Sequence, residues 1–226
     1  LNELDMICIV QARMNSRRLN GKVLRKIRKI VLLDRVISQL KKASSITHVI
    51  IATSDKSFDQ EIVKFCKKRE IAYFCGSLSN VYDRFIQIVK QKKMKSFVRI
   101  CADSPAISPQ LINFAVKIFK SGNFDIVTNT FPRTFPIGLS VEVISSKVFL
   151  NSYKNITKKQ NKEHITSYFY ENSKKYKIYN ISNKVNYSSL TLAIDTDQDL
   201  KYMRQLFKKY NSVKIIYDKL GINLDY

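Results

Sequence analysis

The stretch MICIVQARMNSRRLNGK, residues 6–22, joins an apolar run to a loop carrying Arg13, Arg17, Arg18 and Lys22 around a single glycine, Gly21. Ile7, Ile9 and Val10 in its first five positions are β-branched, as expected for a short buried strand. In open parallel sheets ligands bind beyond the carboxyl ends of the strands, which is where a cationic loop behind a buried strand would lie. From this junction the chain reads outward as alternating short β-branched runs and amphipathic segments of helical length. That is a βαβ pattern, and it predicts an α/β fold with a mainly parallel central sheet flanked by helices.

Strands are expected at Met6–Val10, His48–Thr53, Ala72–Phe74, Phe97–Cys101, Asp125–Asn129, Ser140–Ile144 and Leu190–Ile194. Three helix starts carry their own signals. Ser57-Phe58-Asp59-Gln60 reads as a capping box, and Ser108 before Pro109 as an N-cap followed by the first helical residue, with Gly122 as the stop. Thr196 with Asp199 three residues on reads as a second box. No repeat, low-complexity tract or Gly/Ser linker divides the 226 residues, so one domain is expected, with a less regular arm or insertion at about 131–185.

Composition excludes more than it asserts. No apolar stretch approaches the roughly 18 residues of a membrane span, and the start LNELDMICIV lacks a basic leader, so a soluble cytoplasmic protein is expected. Cys8, Cys66, Cys75 and Cys101 show no paired spacing and read as reduced thiols, not a zinc site or a disulfide frame. The net charge of +22 invites a nucleic-acid reading. Its lysines, however, are spread along the chain with abundant Asn, Ile, Tyr and Phe, and no recognition motif accompanies them. A solvated lysine surface accounts for the charge, and no specific nucleic-acid partner is expected.

The residues just after each strand form one rim: 11–22 after the first, Ser54-Asp55 after the second, Gly76-Ser77 after the third, Ala102-Asp103-Ser104-Pro105 after the fourth, Thr130 to Arg133 after the fifth, and Asp195 after the last. Cations concentrate in one loop and carboxylates end two other strands. Arginine forks and a lysine suit phosphate oxygens, and two carboxylates at separate strand ends suit a hard divalent cation that takes its other ligands from phosphate and water. Together they describe metal-assisted phosphoryl or nucleotidyl transfer. The Walker pattern fails, because Gly21-Lys22 is followed by Val23 and position 16 is Ser16, and no GxGxxG is present.

Seven motifs in order then resemble one family: IVQARMNSRRLNGKVL (9–24), IIATSD (50–55), VYDRF (81–85), RICADSP (99–105), NTFPRTFPIGLSVEV (129–143), EHIT (163–166) and AIDTDQDL (193–200). They are similar to the acylneuraminate and spore-coat polysaccharide type of cytidylyltransferase, and the similarity spans nearly the whole chain. The resemblance implies a Rossmann-like nucleotidyltransferase fold, CTP as donor, Mg2+, a homodimer, and transfer of CMP to a sugar or sugar acid with release of pyrophosphate. It implies that Arg13, Ser16, Arg18 and Lys22 bind the triphosphate, with Arg17 adding charge where many relatives have threonine. It implies further that Asp103 and Asp195 bind the metal, and that Asp83 and Arg84 lie near a nucleotide pocket with Gln11 and Ala12 lining the base. Arg133, Glu142 and His164 fall in segments that face the acceptor in relatives. Asn20 and Ala102 depart from the family's usual proline and glycine, and Gln11 favours the spore-coat branch.

Blander roles stay open for single residues: Arg17 or Arg18 as solvated charges, Asp195 as a helix-start carboxylate, Arg133 as loop scaffolding and His164 as a structural histidine. Two other functions also stay open. One is nucleotidyl transfer to a sugar-1-phosphate or to a non-sugar acid or phosphonate; the other is a basic nucleic-acid-binding protein.

Overall fold

The computed structural model describes residues 6–210, 212–224 and 226, so the reading of the first five residues lies outside the described part. Its main sheet has seven strands in the order β5-β4-β1-β6-β8-β7-β9. They are β1 (Ile7–Gln11), β4 (His48–Ser54), β5 (Ala72–Gly76), β6 (Ser96–Cys101), β7 (Ile126–Thr128), β8 (Glu142–Ser145) and β9 (Ile178–Asn180). A two-stranded hairpin, β2 (Lys26–Ile27) with β3 (Ile30–Val31), stands apart. All seven strands run in one direction except β8, which is antiparallel to β6 and β7.

The central position of β1 explains its unbroken apolar run. Cys8, Val10 and Ala12 enter one core with α1 (Leu32–Leu40), α2 (Gln60–Lys68), α4 (Pro109–Ser121), α8 (Asp197–Lys209) and α9 (Val213–Lys219). Ile7 and Ile9 enter the other, with α3 (Val81–Gln91), α5 (Ser146–Ser152) and α7 (Ser167–Glu171). A strand covered on both faces has no solvent side to alternate with. On the α3 face, Phe97 meets Phe149 edge-on with ring centroids 5.2 Å apart, and each such ring contributes about 1.5–3 kcal/mol by burial.

Two helix starts form as read. Ser108 Oγ accepts from Leu111 N at 3.2 Å ahead of Pro109, and Thr196 with Asp199 forms a full capping box. The box expected at Ser57 does not form. A 3-10 turn, Ser57–Asp59, precedes α2, and no side chain caps it. Asp59 is fully buried instead, accepting from Met14 N at 2.6 Å, Ser54 N at 3.1 Å and the Ser54 hydroxyl, so a tertiary partner wins over the local cap.

The last expected strand, Leu190–Ile194, is also corrected: it makes only an isolated parallel bridge, Ile137 to Thr191. The segment expected to be irregular supplies β8 and β9 to the sheet, with α6 (Lys159–Glu163) and α7 over one face. The alternation marked β8, but only its pairing partners fix its direction.

Candidate active site

The cationic loop is built around Met14. Its carbonyl accepts from Ser16 N and Gly21 N, each at 2.8 Å, while its N–H is held by Asp59. Gly21 turns the chain at φ +67°, a conformation that favours glycine, and Lys22 enters the fold behind it. Ala12 is buried and donates to the Ala52 carbonyl at 3.0 Å, fixing the loop's root on the sheet.

Lys22 closes the rim. Its Nζ lies 2.8 Å from Asp103 Oδ2 and 2.7 Å from Asp195 Oδ1, and Arg18 Nη2 reaches Asp195 Oδ2 at 2.9 Å. Burial works against the Lys22 charge, but Asp103 and then Asp195 outweigh it and hold the ammonium's pKa above its ordinary value. For Asp195 burial likewise opposes the charge, and Lys22 and Arg18 together hold the carboxyl below its ordinary value. Thus Lys22, Arg18, Asp103 and Asp195 meet at one point, although 173 positions separate Lys22 from Asp195 in sequence.

Backbone contacts place the two carboxylates. Asp103 O accepts from Ile194 N at 2.9 Å, joining the end of β6 to the segment before Asp195. Asp199 Oδ2 accepts from Asp195 N at 3.0 Å and Thr196 N at 2.8 Å, so the capping box of α8 also fixes Asp195. Gly138, at φ +98°, lies so close to this segment that a Cβ there would sit 2.5 Å from Ala193 N. Beside it, the loop between β7 and β8 is closed by Asn129. Its Nδ2 donates to Leu139 O and its Oδ1 accepts from Val141 N, both at 2.8 Å.

The other cations separate. Arg13 pairs with Glu163 of α6 at 3.0 Å, tying the loop to the segment over the sheet, and Arg17 is exposed. His164, at the end of α6, is exposed too. Arg133 is half-buried; its Nη2 donates to Ser140 Oγ at 3.0 Å, while Nη1 is buried without a partner. Burial lowers its pKa against the pull of Glu142 and Tyr170.

Glu142, expected in a segment that faces the acceptor, lies inside the sheet. It is 3% exposed, and Arg99 Nη1 and the Tyr170 hydroxyl donate to it at 2.5 and 2.6 Å. Burial raises a carboxyl, yet Arg99 first and then Tyr170 hold Glu142 below its ordinary value. The second guanidinium nitrogen of Arg99, Nη2, donates to Gln11 Oε1 at 3.0 Å.

Arg84 is 1% exposed; it donates through Nη2 and Nε to Ser77 O at 2.5 and 3.2 Å, and burial lowers its pKa to about 10. It holds the floor of a cleft of about 450 Å³ but does not line it. Asp83 does line it, with Asp55, Ser77, Ser79 and Gln87.

Sequence reading missed Asp59, Arg99 and Tyr170. Arg99 had a signal, a guanidinium in the middle of a strand between apolar neighbours; Asp59 and Tyr170 had none beyond helix patterning.

The donor chemistry suits a hard divalent cation. Two carboxylates, one just after β6 and one just ahead of α8, already converge on one positive charge, Lys22 Nζ. Among the described residues no group of three or more His, Cys, Asp or Glu side chains could hold a metal, so the rest of its shell would come from phosphate and water. Among the same residues, no helix is long and apolar enough to cross a membrane.

A sequence model described as cytidylyltransferase matches residues 7–220. The chain is 32% identical over 214 residues to an uncharacterized protein of Methanocaldococcus jannaschii, covering 94% of this chain and 87% of the relative. It is 28% identical to a spore coat polysaccharide biosynthesis protein of Bacillus subtilis, covering 96% and 88%. Among solved structures, a cytidylyltransferase from Leptospira borgpetersenii superposes with a TM-score of 0.88 over 98% of both chains at 24% identity, a likeness of fold.

Proposed function

The chain belongs to the cytidylyltransferase family, and from that premise we propose that it transfers CMP from CTP to a sugar or sugar-acid acceptor for surface polysaccharide synthesis. The acceptor reading is supported by the relative named for spore coat polysaccharide biosynthesis. It is also supported by the buried, unpartnered Nη1 of Arg133, a donor that a carboxylate or hydroxyl would satisfy.

In the reaction an acceptor oxygen, losing its proton, bonds to the α-phosphorus while the bond to the β-phosphate oxygen breaks and pyrophosphate leaves. Charge develops on the leaving group, and fixed positive groups lower that cost because they need not reorganise. Lys22 and Arg18 are the groups placed for this, with Arg13 on the flank and Arg17 and Ser16 on the loop. Mg2+ held by Asp103 and Asp195 would supply charge neutralisation on the phosphate oxygens. Asp83 belongs to the nucleotide side, with Gln11 and Ala12 under the base, while Arg84 supports that side from below. His164 and Arg133 face the acceptor.

Residues 131–185, which supply β8 and β9, and the loops around them form one arm-like margin of a single domain. The working unit is a cytoplasmic homodimer, a reading supported by Phe131, Ile137, Val185 and Leu190, large apolar residues left exposed on that arm and its margin.

The observation that carries the proposal is the Lys22 ammonium held between Asp103 and Asp195 at the carboxyl rim of the sheet. Pyrophosphate release measured for each nucleoside triphosphate, against sugar acids, sugar phosphates and phosphonates, tests it. CTP with a sugar or sugar acid is expected to be fastest. A phosphonate or sugar phosphate in that place would replace the acceptor, and no preference for CTP would refute the donor. Asp103→Asn is expected to lower release about 100-fold or more with the circular dichroism unchanged.

A further inference from the structure

Four polar side chains line up across the sheet face that carries α3 and α7: Gln11 on β1, Arg99 on β6, Glu142 on β8 and Thr128 on β7. Arg99 stands opposite Glu142, and Glu142 opposite Thr128, in strand register. Gln11 lies two residues beyond Ile9, the β1 partner of Arg99. The Tyr170 hydroxyl closes the row, donating to Glu142 and lying 3.0 Å from Thr128 Oγ1.

A guanidinium carries only donors, so its contact with Gln11 dictates how that amide is turned. The oxygen faces Arg99 at 3.0 Å, and the NH2 group therefore faces away from it. A free amide could rotate and offer either end to a ligand; this one offers donors alone. Glu142 holds Arg99 from the far side at 2.5 Å, so the guanidinium cannot turn either. Gln11 lies on the face packed by Ile9, Ala52 and α3. One strand beyond β4 on that face, the cleft of Asp55, Ser77, Ser79 and Asp83 opens. A nucleotide with its phosphates at Lys22 and Asp103 and its base toward that cleft passes over Gln11.

Resting on the CTP reading above, we infer that Arg99 is a positioning residue that turns the Gln11 amide donor-outward, and that this NH2 selects cytosine over uracil. Cytosine offers two adjacent acceptors, N3 and O2. Uracil carries a hydrogen on N3, so an NH2 set against that atom meets a second donor there and loses the N3 contact, keeping only a carbonyl beside it.

Gln11→Glu separates this role from a structural one. The carboxylate keeps the contact to Arg99, so the fold is retained, but it offers acceptors where the amide offered donors. With CTP and UTP affinities measured by calorimetry, the CTP-to-UTP preference of Gln11→Glu is expected to fall about tenfold or more, in part through tighter UTP binding. Arg99→Lys keeps a charge beside Glu142 but cannot hold both neighbours, and its preference is expected to fall by a smaller factor. A preference in Gln11→Glu within twofold of the wild-type value overturns the inference. So does a rise in acceptor KM with that preference intact. A wild-type protein that binds UTP as well as CTP overturns the donor reading itself, and this inference with it.

Discussion

A carboxylate buried in the middle of a sheet keeps its charge only while its partners are in place, and those of Glu142 include Arg99 and Tyr170. Its folded pKa lies below the unfolded value, so its stabilising contribution is complete above the unfolded value and is lost as pH falls through the folded one. Glu142→Gln is expected to destabilise the protein by about 3 kcal/mol at neutral pH, because Arg99 is left buried with its charge uncompensated. The same change should flatten the loss of stability below about pH 4.5, read from urea midpoints across an acid series. Lys22 has the opposite sign: its pKa is raised, so its contribution is full below the unfolded value and fades only as pH rises through the folded one. The motif placed Glu142 in a segment that relatives turn toward the acceptor. It could not show that β6 brings a guanidinium across from it, since that depends on which strands become neighbours.

At the scale of elements, Gly138 is the point where two loops touch. Gly138→Ala puts a methyl group onto the backbone of Ala193 and strains a positive φ, so a loss of about 2 kcal/mol or more is expected from thermal unfolding. Because Asp195 follows two residues after Ala193, the surviving folded protein should also bind CTP more weakly. Helices whose caps are local, such as α4 and α8, were legible down to the capping residue. The start of α2 was not, because Asp59 answers to Met14, 45 residues away, and no local pattern records that. The same reason hides β9, three residues that become a strand only because β7 lies beside them. Lys22 and Asp103 were legible because the loops that follow strands share one rim; Asp195 reaches the same point without a strand before it, held by the Ile194–Asp103 backbone bond and the capping box of α8.

Across the whole molecule, like charges repel one another. At +22 the surface carries a large excess of cations, while those nearest the site, Lys22, Arg18 and Arg13, are paired with carboxylates. Raising NaCl from low concentration to about 1 M, where the Debye length is about 3 Å, is therefore expected to raise the melting temperature by a few degrees. Sedimentation should give a dimer, and Ile137→Lys with Val185→Lys should shift it to monomer if the arm forms the interface. Asn129 carries a different kind of consequence. It pins both feet of the loop holding Arg133 to each other on one edge of the sheet, so the span between them is a closed ring of chain. Adding residues to such a ring costs free energy only as the logarithm of its length and disturbs no strand. The stretch between Asn129 and Ile137 can therefore change length without moving β7 or β8, whereas Ile137 and Gly138, seated against Thr191 and Ala193, tie the far end of the ring to the segment that carries Asp195.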